Sequence, residues 1–267
     1  MAYQFDAPDA TFELPKKLRE ISGLTRLDDQ HLGAIQDEKG ILFILDAETG
    51  EVVREHDFGD RGDYEGVELA HERVYVLDSD GDLFILKNWD EKKDKAKKIE
   101  TPLSSRQDTE GLAFDTANNR LLILCKEDPG NDLEDLRAIY AYDLATETFI
   151  EAPVFTIHFD TLHDQIGEDN PINAALRRLA KPFADLRDFK PAALAVHPLT
   201  GELFAVSSVR KVLVILSPTG ELTSAVDLPE ELFLQPEGLA FLSNGDLFIA
   251  NEGGGGRGTL HRFNARN

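Results

Sequence analysis

Leu234–Gly254, "LQPEGLAFLSNGDLFIANEGG", is the stretch on which the fold turns. A glutamate and a glycine open an apolar run, Asn244-Gly245 reverses the chain, and a second apolar run ends on another carboxylate, Glu252. Short apolar runs bounded by turn residues read as strands, and Asn-Gly supplies the positive φ that a two-residue hairpin requires. The unit is therefore a β-hairpin with an acid where its first strand begins and another where its second strand ends.

The unit recurs. "EISGLTRLDDQHLGAIQDEKGILFILDAETGEV" begins at Glu20, "DYEGVELAHERVYVLDSDGDLFILKNW" at Asp63, "DTEGLAFDTANNRLLILCKED" at Asp108 and "KPAALAVHPLTGELFAVSSVRKVLVILSPTGEL" at Lys190. Aligned on the residue before the small pair, the five copies fall at Ser22, Glu65, Glu110, Ala192 and Glu237. The step is about 45 residues, with one nearly double step before Ala192, a period that suits a four-stranded propeller blade. Such sheets are stable only with both faces covered, which stacking around an axis achieves. The sequence thus predicts an all-β chain, residues 1–267, folded as one five-bladed β-propeller of four-stranded antiparallel blades.

Two features complete this expectation. The last copy runs out of chain after "GTLHRF", so residues 10–14, with Phe12 and Leu14 alternating against polar neighbours, are expected to add the missing outer strand. The double step is filled by residues 151–189, read as an inserted helical segment. Asn170 caps it, Pro171 sits in the first turn, Ile172, Ala175, Leu176 and Leu179 recur at helical spacing, and Pro182 interrupts it. A degenerate sixth blade, giving a six-bladed propeller, is the alternative reading. Which face the insert covers is left open.

The first acid of each unit precedes the innermost strand and the second follows the next, antiparallel strand, so both lie on one face of the ring. Around the axis they converge on one mouth of the channel. The first copy contributes Asp37 and Glu38 with Ser22; the second, Asp63, Glu65 and Asp78; the third, Asp108, Glu110, Lys126 and Glu127; the fourth, Ser207 and Ser208; the fifth, Glu237, Asn251 and Glu252. Turn chemistry accounts for the glycines and for Asp78 and Asp80, but not for glutamate at three equivalent positions. Clustered carboxylates raise one another's pKa or demand a cation, and calcium, with roughly six to eight oxygen ligands, answers that demand. A solvated acidic mouth without a fixed ion is the alternative.

Composition narrows the partners. With 50 Asp and Glu against 28 Lys and Arg, the formal charge is -22, which repels nucleic acid and anionic lipid. No apolar run reaches the roughly 20 residues of a membrane-spanning helix. The single cysteine, Cys125, excludes an internal disulfide. The start lacks the apolar core of a signal peptide, so a cytoplasmic location is expected unless a signal has been trimmed, in which case the cell envelope is. "GGGGRG" at Gly253–Gly258 matches a dinucleotide pattern but lies between strands, "DSDGD" at Asp78 lacks an EF-hand's terminal glutamate, and "HFDTLHD", with His158, Asp160, His163 and Asp164, reads as a solvated loop.

In their order, "EISGL", "IQDEKG", "DYEGVE", "TEGLAF" with "CKE", "KPAALAVHP" and "QPEGLAF" with "NEGG" resemble the SdiA-regulated domain family of YjiK-like proteins, from about Leu18 to Phe263. The resemblance implies a five-bladed propeller, distantly similar to NHL-repeat propellers, with a calcium ion held by or near Glu65, Glu110, Glu127, Glu237 and Glu252. Members often begin with an export signal or membrane anchor, a feature that the start "MAYQFDAPDATFELPKK" does not display. The fourth copy departs from the pattern, with Ala192 and Ser207 where its neighbours carry acids. The resemblance supplies a site without a reaction. The expectation is a monomeric calcium-binding propeller whose mouth takes a small molecule, a glycan or a protein. The alternative is a calcium-dependent hydrolase, lactonase-, esterase- or phytase-like, with a glutamate as base and Lys126 steadying developing charge.

Overall fold

The computed structural model describes residues 3–91, 95–161 and 189–266, and among these the strands form five sheets of four. β1 (Ala10–Glu13) precedes the first complete blade, β2 (Ile21–Arg26), β3 (His31–Gln36), β4 (Lys39–Asp46) and β5 (Val52–Arg61). The second blade is β6 (Tyr64–Ala70), β7 (Arg73–Asp78), β8 (Leu83–Leu86) and β9 (Lys97–Ile99). The third is β10 (Thr109–Asp115), β11 (Arg120–Cys125), β12 (Leu136–Asp143) and β13 (Thr148–His158), and the fourth is β14 (Pro191–Val196), β15 (Leu203–Ser207), β16 (Val212–Leu216) and β17 (Leu222–Asp227). In the fifth, β18 (Pro236–Phe241), β19 (Leu247–Asn251) and β20 (Thr259–Phe263) are followed at the outer edge by β1. The fold is a five-bladed β-propeller.

Alternate residues of the middle strands feed different cores. Phe43 and Leu45 of β4 pack toward the fifth blade with Leu14, Phe248 and Leu260, whereas Leu42 and Ile44 pack toward the second with Val74, Val76 and Leu86. Likewise Leu121 and Ile123 face the second blade and Leu122 and Leu124 the fourth. Strands buried on both faces read as unbroken apolar runs, which is why "ILFIL" and "LLIL" carry no polar alternation. Each of the five gaps between blades holds one such cluster, and Tyr3 and Phe5 add to that between the fourth and fifth.

β1 closes the ring, with Ala10 opposite Arg262 and Glu13 opposite Thr259. Residues 151–158, read from sequence as the start of an insert, instead finish the outer strand of the third blade. The pairing jumps from Ile139–Phe155 to Ala141–Ile150, so the residues around Pro153 bulge out of the ladder. Proline cannot donate there, and an edge strand tolerates it. The remainder of that insert, 162–188, including the expected helix at Asn170–Leu179 and His163 and Asp164, lies outside the described residues.

The inner strands pack edge to edge about the axis and need small residues to do so. A Cβ on Gly66 would stand 2.8 Å from Leu112 Cβ, and one on Gly111 would stand 2.8 Å from Leu194 Cβ. The glycine of each "EG" pair is therefore a close-approach residue.

Candidate functional site

The acid of each "EG" pair does not precede the inner strand; it is the extra residue of a β-bulge within it. Tyr64 pairs with Asp78 and Gly66 with Leu77, leaving Glu65 without a partner. The same jump isolates Glu110, Glu237, Ser22 and Ala192 in the other four blades. A bulge re-aims the extra side chain, here into the channel. Glu65, Glu110 and Glu237 thus line one throat with Gly66 and Gly111 and with Ala193 and Leu194 of the fourth blade. That throat holds about 10 Å³, barely one water's worth of space.

Crowding raises all three acids. Burial first, then the charges of Glu110, Asp63 and Glu237, push Glu65 far above the ordinary carboxylate range. Burial and Glu110 lift Glu237 to about 8. Glu110, only 4% exposed, is also raised by burial, but Lys126 opposes the shift by donating to its Oε1. Lys126 Nζ lies 3.5 Å from Asp108 Oδ2 as well. Burial works against the ammonium, yet Glu110, Asp108 and Glu65 outweigh it and hold it charged.

Around the throat stands a second tier. The amides of Ser79, Lys126 and Glu252 donate to the carbonyls of Asp63, Asp108 and Gln235 at 2.9, 2.9 and 2.8 Å, and that of Asp37 to Glu20 at 3.4 Å. Burial and then the charges of Glu20, Glu38 and Asp63 raise Asp37, and burial and then the charges of Asp37 and Glu20 raise Glu252. Gln235 Nε2 donates to Glu252, and Ser79 Oγ to Asp63 Oδ2 at 2.6 Å.

Other candidates are spent elsewhere. Glu127, 40% exposed, stands at the rim as the partner of Lys190, and Glu38 pairs with Arg61 at 2.5 Å. Ser207 Oγ accepts from the amides of Lys190 and Arg210, both at 3.2 Å, and so staples its own turn. Asn251 donates to Thr259 Oγ1 at 3.3 Å, and Asp78 accepts from the amide of Asp82 at 2.9 Å. Glu20, Lys190 and Gln235 are the participants that sequence reasoning passed over. They occupy the alignment column of Asp63 and Asp108, two residues before the bulge, so reading down that column would have found them.

Among the described residues, no three histidine, cysteine, aspartate or glutamate side chains are placed to hold one metal ion between them. The donor chemistry nonetheless suits a hard cation. Every acidic group here presents oxygen, and the buried atoms Asp37 Oδ1 and Asn251 Oδ1 accept no hydrogen bond. Binding would require Glu65, Glu110 and Glu237 to draw inward, with Asp108 available to take Lys126 as Glu110 releases it.

The profile of the SdiA-regulated family matches residues 3–151. No curated protein matches the chain. Among solved structures, a luciferin-regenerating enzyme superposes with a TM-score of 0.57 at 11% identity, covering 97% of this chain and 96% of that one. A glutaminyl cyclase of Myxococcus xanthus gives 0.58 at 14% identity over 96% and 94%. A gluconolactonase of Xanthomonas campestris gives 0.51 at 14% identity over 91% and 72%. At such identities the likeness shows the propeller fold alone.

Proposed function

This chain belongs to the SdiA-regulated family, and we propose that it is a recognition propeller whose throat takes a calcium ion and, through that ion, an oxygen-rich small molecule or glycan at the acidic mouth. The observation that carries this reading is the convergence of Glu65, Glu110 and Glu237 on equivalent bulges, with Lys126 the ammonium bonded among them. One positive charge cannot offset three buried carboxylates, and the raised values of Glu65 and Glu237 express the shortfall.

Glu65, Glu110 and Glu237 would hold the ion, with Asp37 and Asn251 offering unsatisfied oxygens nearby. When bound, calcium supplies positive charge and open positions for ligand oxygens. Lys126 keeps the free throat from carrying its full negative charge, and Asp108 gives it a second resting place. Ala192 and Ser208 leave the fourth-blade side of the mouth without an acid, and its Lys190 is paired with Glu127 at the rim, which suits entry of the rest of a ligand on that side.

Calorimetric titration with calcium tests this. One saturable ion per chain is expected, weakened about tenfold or more by Glu65→Gln and changed by less than about twofold by Glu127→Gln at the rim. No saturable heat in the wild type overturns the reading. Chelator-sensitive turnover of lactones, aryl esters or phosphomonoesters would move it from recognition to hydrolysis.

A further inference from the structure

At the opposite end of the channel, the far ends of the inner strands enclose a cavity of about 330 Å³. Its lining includes Thr25, Arg26, Glu68, Phe114, His197 and Phe241. The narrow throat separates it from the three glutamates, so it is a different site from the one proposed above.

Glu68 is its acidic group. Oε1 accepts from Thr25 Oγ1 at 2.7 Å and from the Leu69 amide at 2.8 Å, while Oε2 has only the Phe114 amide at 3.3 Å. All three donors are neutral, and among the described residues no cation is bonded to this carboxylate. Arg26 lines the same cavity and its charge acts on Glu68, but its guanidinium is bonded to Asp29 at 3.2 Å rather than to this carboxylate. Burial pushes Glu68 up to about 7 despite those bonds.

The remaining polar wall cannot supply the missing charge. His197 Nδ1 accepts from the amides of Leu199 and Thr200, both at 3.2 Å, so the ring proton sits on Nε2, 3.0 Å from Tyr3 Oη. Tyr3 in turn donates to the Gly245 carbonyl at 2.6 Å. Burial lowers the histidine's pKa, which keeps the ring neutral. The cavity thus combines a carboxylate bonded to no cation with the aromatic rings of Phe114 and Phe241, the latter backed by Phe204 in edge contact at 5.0 Å.

We propose that this cavity binds a small organic ammonium ion, its nitrogen on Glu68 Oε2 and its hydrocarbon body against Phe114 and Phe241. A metal ion would find a single carboxylate and a histidine whose Nδ1 is already engaged. An anion would be repelled. An ammonium group offers hydrogen bonds to the under-used oxygen, and its positive charge is attracted to ring faces. The volume lies at the lower end of ordinary small-molecule sites and suits a ligand of about ten heavy atoms.

The test compares phenethylammonium with its neutral counterpart 2-phenylethanol by calorimetry on the whole protein. One equivalent of the amine is expected to bind, with the alcohol about tenfold weaker or worse. Glu68→Gln should cost the amine about tenfold, while Glu237→Gln in the throat leaves it unchanged. Equal binding of amine and alcohol, no saturable amine uptake below about 10 mM, or a folded Glu68→Gln protein with wild-type affinity would overturn the proposal. Should Glu68→Gln fail to fold, amide shifts on adding the amine to wild type decide it. Changes centred on Leu69 and Phe114 support the site, and changes centred on Glu110 and Glu237 refute it.

Discussion

Lys126, just past the end of β11, donates its ammonium to the buried carboxylate of Glu110 on the adjoining β10. Breaking a fully buried pair costs about 3–5 kcal/mol because a lone charge is left behind. Lys126 is 26% exposed, so Lys126→Met should lower unfolding free energy by about 2 kcal/mol near neutral pH. Urea denaturation measures this. The loss should shrink by about pH 5, well below the value of about 7 at which Glu110 takes up its proton, and it should also shrink with added calcium.

Stability should fall as pH rises through neutrality. Glu237 and Glu68 have folded pKa values of about 8 and about 7, above the ordinary carboxylate value, so the folded state binds more protons than the unfolded chain across that window. Such groups stabilise at low pH and lose that contribution as pH climbs to their folded values. Thermal melts from about pH 5 to pH 8 should therefore show the midpoint dropping by several degrees. Glu237→Gln should flatten the profile, and a midpoint that rises over this range would contradict the account.

The inner-strand glycines should resist even a methyl group. A Cβ at Gly111 meets Leu194 Cβ at 2.8 Å and the Leu194 amide nitrogen at 2.9 Å, neither of which can yield without moving the next blade. Gly111→Ala should cost about 1–3 kcal/mol, an overpacking penalty. The fourth blade already carries Ala193 at this position, so Ala193→Gly should cost only about 1 kcal/mol or less. Denaturant midpoints of the two variants provide the comparison.

Closure by the N-terminal strand can be weighed at Leu14. This side chain is fully buried and belongs to the cluster between the fifth and first blades, and its amide donates to the Gly258 carbonyl at 2.8 Å. Leu14→Ala should cost about 2–5 kcal/mol, as cavity-forming core substitutions do. Phe12, one turn of the pleat earlier, is only partly buried and should cost less when truncated.

The blade count could be read from the chain because the repeated apolar hairpins and their turn glycines keep a fixed period. The end of the third blade was harder to read, since Pro153 looks like a strand breaker where an edge bulge absorbs it. The bulge at Glu65, Glu110 and Glu237 has no compositional mark, as one extra residue changes register without changing residue type. Partnerships across long separations were equally silent. Lys190 reaches Glu127 63 residues away, and nothing local to either indicates it. Glu68 was overlooked because a glutamate in a strand reads as an ordinary outward position until the fold brings Thr25 and Phe114 to it.

The three bulge glutamates are proposed to share a place for one hard cation. A crystal structure grown with calcium tests it most directly. The account expects an ion within about 2.3–2.6 Å of carboxylate oxygens from Glu65, Glu110 and Glu237, with Lys126 turned toward Asp108. A throat holding only Lys126 against Glu110, at calcium concentrations well above millimolar, would contradict it.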